Sequence, residues 1–94
     1  MEYIDVLWLH THSEEPFRLV SELDDQRHEI RKLEFFANGL VGCATEETET
    51  QTTGLSTVPV PSLEEINEDP QFRGTSIEKE AFEALWRLHA GRDA

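Results

Sequence analysis

The stretch Arg27-His28-Glu29-Ile30-Arg31-Lys32-Leu33-Glu34-Phe35-Phe36-Ala37-Asn38-Gly39-Leu40-Val41-Gly42-Cys43-Ala44 decides the fold. At its centre, Asn38-Gly39 is flanked by apolar residues, and both residues tolerate positive φ. The pair predicts a type I′ hairpin that joins a strand over 27–37 to a returning strand over 40–44. Upstream, Phe17, Leu19, Ser21 and Leu23 alternate with Arg18, Val20, Glu22 and Asp24, which predicts a half-buried strand. Asp24-Asp25-Gln26 then supplies a tight turn. Residues 3–11 also read as a strand, with Ile4, Val6 and Trp8 on one face and Leu7 and Leu9 on the other. Both faces are apolar in the middle, as a central strand covered on two sides requires. Residues 12–16 turn the chain, punctuated by Pro16.

Downstream of the hairpin the pattern changes. Residues 45–54 are rich in Thr and Glu, hold no large apolar side chain and predict an exposed acidic loop. Val58-Pro59-Val60-Pro61 enforces an extended backbone that cannot sit inside a paired sheet, so it predicts an edge or crossing segment. Ser62-Leu63-Glu64-Glu65 matches a capping box, and the short helix it opens ends at Asp69-Pro70. Thr75-Ser76-Ile77-Glu78 matches a second. Behind it Ile77, Ala81, Phe82, Leu85, Trp86 and His89 share one helical face, with Glu80, Glu83 and Arg87 outside and Gly91 as C-cap. The expected architecture is α+β: an antiparallel sheet of four to five strands, a C-terminal helix packed on one face and one short extra helix. Residues 1–94 form a single domain.

Charge is distributed in blocks. Of the net −12, −8 comes from residues 33–72, which contain no Lys or Arg but carry Glu34, Glu46, Glu47, Glu49, Glu64, Glu65, Glu68 and Asp69. Glu2, Asp5, Glu14 and Glu15 supply the other −4, while residues 18–32 and 73–94 are each balanced. Such a field repels nucleic acid and anionic membranes and attracts basic partners. The single Cys43 closes no intramolecular disulfide, and the acidic start Met-Glu-Tyr-Ile-Asp lacks the positive charge of a secretory signal. No apolar run approaches membrane-spanning length. A cytoplasmic protein is expected.

Three groups invite a chemical reading. His10-Thr11-His12 places two imidazoles on one side of a strand end, where His28, Glu14 and Glu15 could complete a metal shell. No second histidine pair or recognised metal motif supports such a site, and solvated histidines at a strand end are the plainer reading. Glu22, Asp24, Arg27, Glu29, Arg31, Lys32 and Glu34 form a charge-balanced patch. It reads either as a carboxylate tuned by a neighbouring Arg or as cross-strand ion pairs on a solvated sheet face. Cys43 lies in a Val-Gly-Cys-Ala run that reads as a strand interior with an inert thiol rather than a nucleophile. The scattered glycines make no phosphate-binding loop, and no cofactor is indicated.

Trp8-Leu9-His10, Ser21-Glu22-Leu23-Asp24, Glu29-x-Arg31-Lys32-x-Glu34, Val58-Pro59-x-Pro61, Glu65-Ile66-Asn67 and Phe82-Glu83-x-x-Trp86 follow one another in this order. The set resembles a family of small bacterial proteins classed as a domain of unknown function. The resemblance spans nearly the whole chain. It implies a stand-alone bacterial cytoplasmic domain and supplies no catalytic residues.

No motif specifies a reaction, so the residues favour a binding module over an enzyme. The base-free acidic block points to a protein with a basic surface as partner, in the manner of an immunity or inhibitor protein. Glu46, Glu47 and Glu49 on the loop and Glu64, Glu65, Glu68 and Asp69 on the short helix are the expected contacts. The alternative is a metal- or small-molecule-binding domain, or a small enzyme, using His10, His12 and the Arg31/Glu34 cluster. The chain is expected to be a monomer, or a homodimer through the edge at 40–44 or 58–60.

Overall fold

A computed structural model describes residues 1–49 and 53–90. The order of elements is β1 (Glu2–Trp8), β2 (Arg18–Leu23), β3 (Glu29–Phe35), β4 (Val41–Thr45), α1 (Leu63–Glu68), β5 (Phe72–Ser76) and α2 (Lys79–His89). All neighbouring strands are antiparallel, in the order β4-β3-β2-β1-β5. The α+β class, the C-terminal helix and the short extra helix expected from the sequence are all present. Among the described residues no helix is long and apolar enough to cross a membrane.

Strand alternation builds two cores. On one face Tyr3, Val20, Leu33 and Phe35 meet Phe82 of α2, with Val41, Cys43, Ile77, Leu85 and Trp86 packed around them. Phe82 is wholly buried, tilted against Tyr3 at 5.3 Å and stacked on Trp86 at 6.0 Å. On the other face Ile4, Val6 and Leu23 are covered by Val60, Leu63, Ile66 and Phe72. This second cover follows from topology. β4 and β5 lie at opposite edges, so the connection between them must cross the sheet. β2, expected to be half-buried, is central and buried on both faces: Val20, Ser21, Glu22 and Leu23 are all inaccessible.

Both β2–β3 and β3–β4 close through the same kind of three-residue loop. In the second, the Phe36 N–H donates to the Leu40 carbonyl at 3.0 Å and the Gly39 N–H to the Phe36 carbonyl at 3.0 Å. Only Gly39 has positive φ (90°), so the expected two-residue type I′ turn is replaced by a turn and bulge with one left-handed residue. The Asn38 side chain accepts the Leu40 N–H instead. In the β2–β3 loop the matching bonds are Asp24 N–H to His28 O and Arg27 N–H to Asp24 O, both 2.9 Å. Here the left-handed position holds Arg27, with φ of 67°. A non-glycine residue in this region is strained, at about 1–2 kcal/mol, and Arg27 is held there by its contacts. Its guanidinium donates to the Val60 and Pro61 carbonyls and pairs with Glu2, while its own carbonyl accepts the Val60 N–H at 2.8 Å. The crossing segment 58–61 is thereby fastened to the hairpin.

The capping reading holds at one helix and fails at the other. The Ser62 Oγ accepts the Glu65 N–H at 3.2 Å, but the Glu65 carboxylate returns to the Ser62 hydroxyl rather than to its backbone N–H. Thr75 and Ser76 belong to β5, and α2 begins only after Glu78, which makes no side-chain cap bond. Pairing of β5 with β1, from Ile4↔Ser76 to Trp8↔Phe72, overrides the local signal. Ala81, expected on the buried face of α2, is exposed. Gly91 lies outside the described residues. In the 45–54 stretch Glu46, Glu47, Thr48 and Glu49 are exposed, but Thr53 is buried because its hydroxyl donates to Glu34 at 2.7 Å.

Candidate functional site: an acid-rimmed cleft beside the short helix

Where the crossing segment and α1 lie over the sheet they leave a cleft of about 450 Å³. Ile4, Val6, Leu19 and Phe72 form its apolar floor, Val60, Pro61 and Ile66 its walls, and Glu65, Glu68 and Asp69 line its mouth. Asn67 fixes α1 at this distance. Its side-chain amide donates to the Gly74 carbonyl at 3.0 Å and accepts the Gly74 N–H at 2.6 Å, satisfying the outer edge of β5 as another strand would. Gly74 lies close beneath α1: a Cβ there would stand 2.9 Å from a Leu63 methyl and displace the end of that side chain.

All seven acids expected to contact a partner are exposed, and among the described residues none is in an ion pair. Four bases are already engaged: Arg18 with Asp5, Arg27 with Glu2, Arg31 with Glu22 and Glu83, and Lys32 with Glu29 and Glu34, whereas Arg73 of β5 is exposed and, among the described residues, in no ion pair. The seven do not form one patch. Glu46, Glu47 and Glu49 follow β4 at one edge, whereas α1 packs on β5 at the other. Four strand spacings separate these edges, about 19 Å. That is about twice the screening length at physiological salt, so the groups act separately.

The Arg31/Glu34 cluster expected from the sequence is not assembled. Residues three apart on a strand face opposite ways, and here they enter different networks. Arg31 lies beneath α2, its Nε donating to Glu22 at 2.5 Å and its two Nη atoms to Glu83 at 3.1 and 2.7 Å. Its guanidinium lies over the rings of Phe82 and Trp86 at 4.8 and 5.1 Å. The Tyr3 hydroxyl donates to the other Glu22 oxygen at 3.1 Å. Hydrogen bonding to Arg31 holds the Glu83 pKa below the ordinary glutamate value, and pairing with Glu83 and Glu22 raises that of Arg31. Burial, then the Glu22 contact, raises the Tyr3 pKa. This network joins three strands to α2. Its carboxylate is spent on Arg31 and Tyr3, so it is a fastening rather than a reactive group. Glu83, placed outside by helical periodicity, and Tyr3 were not expected in it. Glu34 faces the other way, to Lys32 at 3.6 Å and Thr53.

His10 and His12 lie side by side, their rings stacked at 5.5 Å, but His28 is far from them. His10 Nδ1 accepts the His12 N–H at 2.9 Å, which leaves Nε2 to donate to the Pro16 carbonyl at 2.8 Å. Both ring nitrogens are thus occupied, and His10 serves as a brace for the turn. His28 stands at the opposite end of the sheet beside Asp24, 3.9 Å away. Among the described residues no three His, Cys, Asp or Glu side chains come together as a metal shell. The cross-strand pairing with Lys or Arg expected for Asp24 is not formed, and His28 is the base nearest to it. Asp24 caps its own turn, accepting the Gln26 and His28 N–H groups at 2.9 Å, and the His28 bond leads in lowering its pKa. Cys43 is half-buried on β4 against the Tyr3–Phe82 core.

The family described as "Domain of unknown function (DUF6881)" matches residues 2–91. Comparison with curated proteins and with solved structures found no match. The chain belongs to the DUF6881 family.

Proposed function

We propose that this member of a family of unknown function is a non-enzymatic binding module for a protein with a basic surface, and that α1 and the adjoining cleft are its contact surface. One observation supports this reading above the others. The acids of α1 are exposed and in no ion pair beside an apolar cleft, while Arg18, Arg27, Arg31 and Lys32 are paired internally. An apolar centre with a charged rim is the usual anatomy of a protein interface, and the rim charge acts mainly on association rate and specificity. Masking a nucleic-acid-binding enzyme is one role such a surface suits, because carboxylates would stand where phosphates bind.

The test compares the wild-type chain with a variant carrying Glu64→Gln, Glu65→Gln, Glu68→Gln and Asp69→Asn, each used to capture proteins from a lysate of the source cells. A basic protein retained by wild type at low salt, released as salt rises and lost from the variant is the expected result. Equal capture by both proteins would refute the reading.

A further inference from the structure

We propose that the cleft seats one large apolar side chain of a partner segment whose flanking residues are Lys or Arg. This rests on the reading above that the acidic surface meets a basic protein, and it adds what enters the cleft and what stays outside. Three features decide the arrangement.

First, the interior carries no spare charge. The one deep carboxylate, Glu29, already accepts the Ser56 N–H at 2.7 Å and the Ser21 hydroxyl at 3.4 Å, and pairs with Lys32 at 3.5 Å. A cation pushed inward would find that partner taken and would lose its hydration. An apolar group meets Ile4, Val6, Leu19, Phe72 and Ile66.

Second, the unpaired acids stand only at the mouth. Glu65 stands one turn before Glu68 and the C-cap Asp69, so the three acids gather on the side of α1 that borders the cleft. Third, a cleft of about 450 Å³ has the volume of a small-ligand pocket and admits a large side chain.

The probes are the capped peptides Lys-Lys-Phe-Lys-Lys and Lys-Lys-Ser-Lys-Lys, titrated into the full chain at low salt by calorimetry. The Phe peptide should bind roughly tenfold or more tighter than the Ser peptide. Leu19→Trp, which fills the floor, should remove that difference. A variant with Glu65→Gln, Glu68→Gln and Asp69→Asn should weaken both peptides. Equal binding of the two peptides to wild type would overturn the anchor while leaving the basic-partner reading intact. Binding of neither would overturn both. The peptide pair needs no mutation of the protein, so the test stands even where Leu19→Trp does not fold. A Phe preference that survives in folded Leu19→Trp would place the anchor elsewhere and overturn the assignment.

Discussion

Replacing Arg31 with Met should destabilise the domain far more than an ordinary charged-residue substitution. Its side chain is 20% exposed and that of Glu22 only 9%, so removal of the guanidinium strands a carboxylate beneath α2 with the Tyr3 hydroxyl as its remaining partner. Breaking a buried pair from one side costs about 3–5 kcal/mol. Glu83 is more exposed, at 28%, and can turn to water, so the lower end of that range applies. Met retains apolar contact with Phe82 and Trp86, which keeps lost packing small. A loss of about 3 kcal/mol is a large share of the 5–15 kcal/mol typical of a domain. At 4–8 °C per kcal/mol it lowers Tm by roughly 12–24 °C. Urea unfolding of Arg31→Met, Glu22→Gln and the double variant would separate charge from shape. Because the penalty comes from an uncompensated charge, the double variant should recover at least half of the loss. A cost below about 1 kcal/mol for Arg31→Met, or a double variant no more stable than the single, would refute the reasoning.

Three further outcomes follow from the same geometry. Arg27→Gly and Arg27→Ala both release segment 58–61 and should speed exchange of the Val60 amide. The Gly variant should be the more stable by about 1 kcal/mol, because only it removes the left-handed strain at φ of 67°; the opposite order in urea unfolding would contradict this. The folded pKa of Glu83 lies below its unfolded value, so its pairing stabilises above the ordinary glutamate pKa of about 4.3 and is lost as pH falls through the lower folded value. Glu83→Gln should therefore be less stable than wild type at pH 7, by about 1–2 kcal/mol, and show a flatter acid limb in Tm against pH. Asn67→Ala removes both bonds to Gly74, costing about 1–3 kcal/mol, and opens the outer edge of β5, so sedimentation should detect more self-association than in wild type.

Much of the sheet was legible because the first two strands carry apolar alternation and Asn38-Gly39 marks the turn between the next two, and the C-terminal helix because Phe82, Leu85 and Trp86 mark one face. β5 was not. Phe72-Arg73-Gly74-Thr75-Ser76 has no apolar alternation, and Thr75-Ser76 imitates a helix cap. It becomes a strand because β1 offers an edge on one side and Asn67 satisfies the other. The Asn-Gly signal located its turn correctly but overstated the left-handed residues, and nothing local marks Arg27 as one. Its conformation depends on partners some 30 residues away, Val60 and Pro61. Of the candidate site, the acids were visible as charge, and the parity of positions 31 and 34 already set those side chains on opposite faces. The cleft was invisible, because its floor, walls and mouth come from β1, β2, the crossing segment, α1 and β5.

Which acidic surface takes a basic ligand is answered directly by a titration of ¹⁵N-labelled protein with Lys-Lys-Phe-Lys-Lys, followed amide by amide. Shifts concentrated at Val6, Leu19, Glu65, Ile66 and Phe72, with little change at Glu46, Glu47 and Glu49, are the predicted result. Shifts centred on the loop after β4, or spread evenly over every exposed carboxylate, would contradict it.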